Sequence, residues 1–87
     1  MSGPDESLLT FPTDLSVKVL GRNEAEFRAA VVEIVEKHYG NAYTITELPS
    51  KQAAYLSLTI TVRAESRAQI DAVYRDFVAS ERILMAL

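Results

Sequence analysis

The sequence has no cysteine and no tryptophan, a single histidine, and only three glycines and three prolines in 87 residues. Without cysteine there is no disulfide, no thiolate metal site, no CxxC redox pair and no cysteine nucleophile. The lone histidine, His38, has only carboxylates to share a metal with, a poor ligand set for zinc or iron, so neither a metal nor any other cofactor is expected. Positive charge is scarce too: nine Lys and Arg stand against twelve Asp and Glu, for a net charge of −3 and a pI near 5.0. Neutralising phosphates requires clustered cations, and these are scattered, which argues against nucleic acid or an anionic membrane as partner. No run approaches the roughly 18 apolar residues of a membrane span. Asp5 and Glu6 stand where a secretory leader would carry Lys or Arg. A cytoplasmic protein is expected.

What is present points to a small folded domain. Hydrophobic residues make up 48% and charged residues 24%, enough apolar content for a core. A chain this short buries only about 60–65% of its unfolded surface, so its stability is thin. Residues Met1 to Ser7, with Gly3, Pro4 and two acids, have the composition of a mobile tail. Residues 8–87 are read as one domain. Leu8, Leu9 and Phe11 ahead of Pro12 form an apolar flap for that core.

The strongest signal is Ala54 to Glu65. Leu56, Leu58, Ile60, Val62 and Ala64 fall on alternate positions, with Tyr55, Ser57, Thr59, Thr61 and Arg63 between them. This period of two makes a central strand with one face on the core and the other outward. Asp14 to Leu20 alternates in the same way and is the first strand, with Gly21 and Arg22 as its turn. Asn23 with Glu26 reads as a capping box opening a helix to Tyr39, with an inner stripe of Phe27, Val31, Ile34, Val35 and His38. Glu24 with Arg28 and Glu33 with Lys37 are spaced to pair on its outer face. Gly40 fits a left-handed helix end. Ala42 to Leu48, closed by Pro49, reads as an edge strand, and Lys51 caps the next turn as a gatekeeping charge. Ser66 with Gln69 opens a second helix whose inner positions are Ile70, Val73, Tyr74 and Phe77, with Asp71 and Arg75 paired outside. Ile83, Met85 and Leu87 alternate as a last strand.

The order strand, helix, strand, strand, helix, strand predicts an α+β fold: the ferredoxin-like βαββαβ sandwich. Its antiparallel sheet has strand order 4-1-3-2 and both helices on one face.

With LLTFP, VKVLG, the Ser50-Lys51 pair and YLSLTITV in place, residues 8–87 resemble the YbeD-like family of small bacterial proteins. The most specific parts are Phe11 with Pro12, Val19 with Gly21, Tyr55 with Ser57, and the apolar C-terminal strand. The family commonly has a glycine soon after the Ser-Lys pair, where this chain has Gln52, Ala53 and Ala54. The resemblance implies a ferredoxin-like fold similar to the ACT-type domains that sense amino acids. It implies no catalytic motif.

Two sites are candidates. Gly21, Arg22 and Asn23 make a glycine turn feeding a helix start, where amide donors and a guanidinium fork suit a carboxylate or phosphate; the first strand-helix loop is also where ACT-type domains tend to bind small ligands. The plain alternative is a turn with Arg22 in solvent. The second candidate is the outward sheet face, with Lys18, Ser57, Thr59 and Thr61 central, Tyr55 and Arg63 at its borders, and Ser16, Leu84 and Ala86 completing it. A surface this poor in charge is cheap to desolvate and suits a protein partner or self-association, through the face or an edge strand. Only Tyr55 is aromatic on its central strands, too few for stacking RNA bases.

Three functions compete on this fold. The reading adopted is a non-enzymatic regulatory or interaction module. An ACT-like small-ligand sensor using Gly21, Arg22 and Asn23 is second. An acylphosphatase-type hydrolase is third, and would need Arg22 to act with Asn41.

Overall fold

The alternating and helical patterns settle into β1 (Thr13–Arg22), α1 (Ala25–Tyr39), β2 (Tyr43–Pro49), β3 (Tyr55–Ala64), α2 (Arg67–Ala79) and β4 (Ile83–Ala86). The computed structural model describes residues 10–87; the expected tail and the pair Leu8 and Leu9 lie outside them. The strands form one sheet in the order β2-β3-β1-β4, with every neighbouring pair antiparallel. This is the expected 4-1-3-2 order read from the opposite edge, and the architecture is the ferredoxin-like α+β sandwich.

Burial follows the alternation. Leu56, Leu58, Ile60, Val62 and Ala64 of β3 and Val17 and Val19 of β1 turn inward and are buried. There all of them but Ala64 meet Phe27, Val31 and Val35 of α1 and Val73 and Phe77 of α2 in one cluster. Each such side chain contributes about 1.5–3 kcal/mol by leaving water, so this single layer between helices and sheet carries the stability. Its remaining void is about 10 Å³, lined by apolar side chains including Val17, Ile60, Val73 and Phe77. That is room for at most one water molecule.

Several local expectations are corrected. Gly21 and Arg22 do not form a turn. They continue β1, opposite Leu56 and Tyr55, because β1 and β3 pair along the whole of both strands, from Thr13 opposite Ala64 to Arg22 opposite Tyr55. The α1 capping box is absent: Glu24 is the N-cap residue and no side chain bonds the helix amides there. Asn23 is occupied elsewhere, donating its side-chain amide to the Ala53 carbonyl at 3.0 Å. At α2 the expected cap is present, with Ser66 Oγ accepting from the Gln69 amide at 3.1 Å. The reciprocal bond runs to the Glu65 amide, which donates to Gln69 Oε1 at 2.8 Å.

Charge pairing along the helices also differs. Arg28 reaches across to Glu47 of β2 in a two-point contact at 2.7 and 2.9 Å, and Lys37 reaches Asp76 of α2 at 3.1 Å. Asp71 pairs backward with Arg67, at 3.5 Å. In each case a partner on a neighbouring element, or one turn earlier, is better placed than the one expected from spacing. Gly40 ends α1 at a positive φ of +63°, but its ψ of −133° lies outside the left-handed helical region expected for this end; its amide donates to the Glu36 carbonyl at 2.9 Å.

The last strand is irregular. Ile83 lies opposite Gly21, but Met85 lies opposite Leu20 and Ala86 opposite Val19. Leu84 is therefore an extra residue on β4, and the alternation changes phase across it. Ala86, expected outward, packs against the core, and Met85 takes the outward position instead.

Candidate interaction face on the open side of the sheet

With both helices on one side, the outward residues of the strands are uncovered. The pairing register arranges them in transverse rows. At one end Arg63 of β3 stands opposite Asp14 of β1 and donates to it at 3.1 Å. The next row is Thr44, Thr61 and Ser16, with the last two hydroxyls hydrogen-bonded at 3.0 Å. Thr46, Thr59 and Lys18 follow, and beside Lys18 the Leu87 amide donates to its carbonyl at 2.8 Å.

The chemistry then changes. Leu48 of β2, Ser57 of β3, Leu20 of β1 and Met85 of β4 stand in a single row across all four strands. Leu48 is 68% exposed and Met85 51%. Beyond this row Tyr55 stands opposite Arg22, and both are exposed. The five expected face residues, Lys18, Tyr55, Ser57, Thr59 and Thr61, all lie on this surface. Its apolar row is a different matter: Leu20, Leu48 and Met85 are not among the residues expected to form the interaction surface, although the β1 alternation already sets Leu20 with Ser16 and Lys18. The signal for two of them is present, since Leu20 continues the outward phase of Ser16 and Lys18, and Leu48 that of Thr44 and Thr46. Met85 is hidden by the bulge.

The other predicted site has a different character. Gly21 is buried against the Phe27 ring, while Arg22 is exposed at the strand end. The Asn23 amide donates to the Ala54 carbonyl at 3.1 Å and the Glu24 amide to the Arg22 carbonyl at 2.7 Å. Two amides of this strand-helix junction, those of Asn23 and Glu24, are thus engaged within the fold. Together with its side-chain bond to Ala53, Asn23 ties β1 to the β2-β3 turn. In that turn the Ala53 amide donates to the Ser50 carbonyl at 2.8 Å and the Tyr55 amide to Ser50 Oγ at 3.0 Å.

His38 lies between the two helices, where its Nε2–H donates to Asp76 Oδ2 at 2.7 Å. The His38 and Lys37 hydrogen bonds hold the Asp76 carboxyl below its ordinary pKa. The Arg28 fork does the same for Glu47. Burial pushes the Tyr39 phenol up, and its hydroxyl is buried without a partner among the described residues. No group of three or more His, Asp or Glu suited to a metal occurs among the described residues, and no helix there is long and apolar enough to cross a membrane. Arg22 and Asn41 lie at opposite ends of α1, a helix of 15 residues that separates them by about 22 Å at 1.5 Å per residue. The fold therefore does not assemble the pair that an acylphosphatase-type site would need.

Residues 6–87 match the family described as "Protein of unknown function (DUF493)". The chain belongs to the DUF493 family. This agrees with the resemblance to the YbeD-like proteins. Among its DUF493 relatives, a UPF0250 protein of Ralstonia nicotianae is 36% identical over 97% of this chain and 89% of its own length. One from Paraburkholderia phymatum is 34% identical over the whole of both chains, and one from Bordetella pertussis is 41% identical over 83% of this chain and 81% of its own. The fold is similar to the solution structure of protein HP0495 from H. pylori, at a TM-score of 0.79, covering 100% of this chain and 97% of that one with 12% identity. That likeness concerns the fold alone.

Proposed function

We propose that this DUF493 protein is a non-enzymatic interaction module of the bacterial cytoplasm whose working surface is the uncovered face of its sheet. One observation carries this reading: the Leu48–Ser57–Leu20–Met85 row crosses all four strands on the side without helices. Large apolar side chains in line on an outer sheet face are what a docking surface requires, whereas an ordinary solvated face is polar at those positions. Covering what remains exposed of Leu48 and Met85 would contribute about 1–2 kcal/mol each, the scale of a small, reversible interface. The Ser and Thr rows beside them add little desolvation cost. The sensor alternative has less support, because the Asn23 and Glu24 amides are already bonded within the fold.

The test is affinity capture from the native cell extract with the wild-type protein, a Leu48→Ser/Met85→Ser variant and a Val78→Ser control on the exposed side of α2. A defined partner retained by wild type and control but lost by the double variant is the expected result. Identical captures for all three would overturn the assignment of the face.

A further inference from the structure

The electrostatics of the sheet face define the kind of partner it takes, on the footing that this face is the working surface proposed above. The molecule as a whole is acidic, with net charge −3, yet the outward rows carry Lys18, Arg22 and Arg63 against the single acid Asp14, which Arg63 already engages. The two helices are close to balanced, with Glu26, Glu33, Glu36, Asp71 and Asp76 against Arg28, Lys37, Arg67 and Arg75, and over all described residues away from the face nine acids stand against six Lys and Arg. The face is thus net positive while the rest of the described chain is net negative, which gives the sheet surface a sign opposite to that of its own molecule.

The placement of two cations is specific. Lys18 and Arg22 flank Leu20 at two positions on either side along β1, so they border the apolar row on its two long sides. Four residues of strand put them about 13 Å apart, and three inter-strand gaps make the row about 14 Å long. A helix with side chains is about 10–12 Å across and rises about 15 Å in ten residues. A helix lying along the row would therefore bury an apolar stripe on Leu48, Leu20 and Met85 while its two flanks pass beside Lys18 and Arg22. The row sets this axis, because along the strands the face becomes Thr46, Thr59 and Lys18 within one step on one side and Tyr55 and Arg22 on the other.

From this geometry we infer that the open face binds an amphipathic helix of a partner protein, about ten residues long, whose apolar stripe is bordered on both sides by carboxylates. Such a helix completes a third layer over the sheet. A second copy of the chain seated face to face fits less well, since each copy would bring Lys18 and Arg22 against the same cations of the other in a two-fold arrangement. Single-stranded RNA also fits less well, because the row is aliphatic and stacking needs aromatic rings.

The test uses two labelled helical peptides, each about fourteen residues long, with one Leu stripe and flanks of Glu in one and Lys in the other. A labelled oligouridylate serves as a third probe, and binding is read by fluorescence anisotropy. The expected result is that the Glu peptide binds about tenfold or more tighter than the Lys peptide and weakens with salt. Lys18→Glu/Arg22→Glu should reverse the preference, and Leu48→Ser/Met85→Ser should remove binding of both peptides. Equal binding of the two peptides, preferential binding of the oligouridylate, or dimerisation abolished by Met85→Glu would each overturn the inference. If neither peptide binds while native capture still depends on Leu48 and Met85, the acidic-helix partner is wrong and the interaction face stands. If capture shows no such dependence either, both fall.

Discussion

Gly21 and Phe27 share one space. A Cβ at Gly21 would lie 2.3 Å from Phe27 Cδ1 and 2.5 Å from Cε1, where Phe27 is itself only 1% exposed. The first helix is seated on the first strand at a point that has room for a hydrogen and nothing larger. Gly21→Ala is therefore expected to destabilise the protein by about 2–3 kcal/mol or more through overpacking. In urea denaturation, Gly21→Ala/Phe27→Leu should cost less than the sum of the two single changes, since the smaller side chain admits the methyl. Simple additivity would mean that the two residues do not compete for that space.

The two faces of β3 make a second comparison. Leu58 and Ile60 are 0% and 1% exposed, and Thr59 between them is outward. Leu58→Ala or Ile60→Ala should cost about 2–5 kcal/mol, a large part of a total stability of about 5–15 kcal/mol. Thr59→Ala should cost under about 1 kcal/mol. Denaturation midpoints of the three variants decide the matter, and equal costs would contradict the assignment of faces.

Much of this is legible in the sequence because alternation and helical spacing report burial directly. The elements and the core residues of β3 follow from period, and the strand order follows from the order of elements with right-handed crossovers. The outward positions of Lys18, Ser57, Thr59 and Thr61 follow from the same alternation. The features that stay hidden depend on contacts between distant segments. Asn23 has the chemistry of a cap, but the hairpin carbonyls of Ala53 and Ala54 compete for its donors. Arg28 has a carboxylate one turn away in Glu24 and another across the sheet edge in Glu47, and only the packing of α1 beside β2 selects the second. The extra residue Leu84 shifts Met85 outward, and one inserted residue in a four-residue strand leaves no periodic trace. The apolar row is a matter of register, which exists only once four strands are paired.

Ala53 offers a prediction in the stabilising direction. It adopts φ +58°, a left-handed conformation that costs an L-residue about 1–2 kcal/mol and glycine almost nothing. The greater freedom of glycine in the unfolded chain returns about 0.4–1 kcal/mol of that. Ala53→Gly is expected to raise stability by about 0.5–1 kcal/mol, seen as a higher urea midpoint at unchanged slope. A lower midpoint would show that the turn does not hold Ala53 in this conformation.

Acid should act on the bridge between the helices. Asp76 accepts from His38 at 2.7 Å and from Lys37 at 3.1 Å, and its pKa in the folded protein is lowered, first by the His38 bond and then by the Lys37 bond. A carboxyl whose folded pKa lies below its unfolded one contributes stability that is fully present above the unfolded value, about 4, and is lost as pH falls through the lower folded value. The folded protein resists protonation there, and the unfolded chain takes the proton first. Asp76→Asn removes that term, so wild type should exceed the variant at pH 7 and the gap should close as pH falls below about 4. Glu47, held low by Arg28, adds an acid-sensitive term of the same sign to both proteins and leaves their difference unaffected, since Glu47 on β2 and Arg28 on α1 make no contact with the bridge. Urea midpoints of wild type and Asp76→Asn at pH 7, 5, 4 and 3 measure the gap directly. A gap that stays constant down to pH 3 would show that the Asp76 carboxylate draws no stabilisation from its partners.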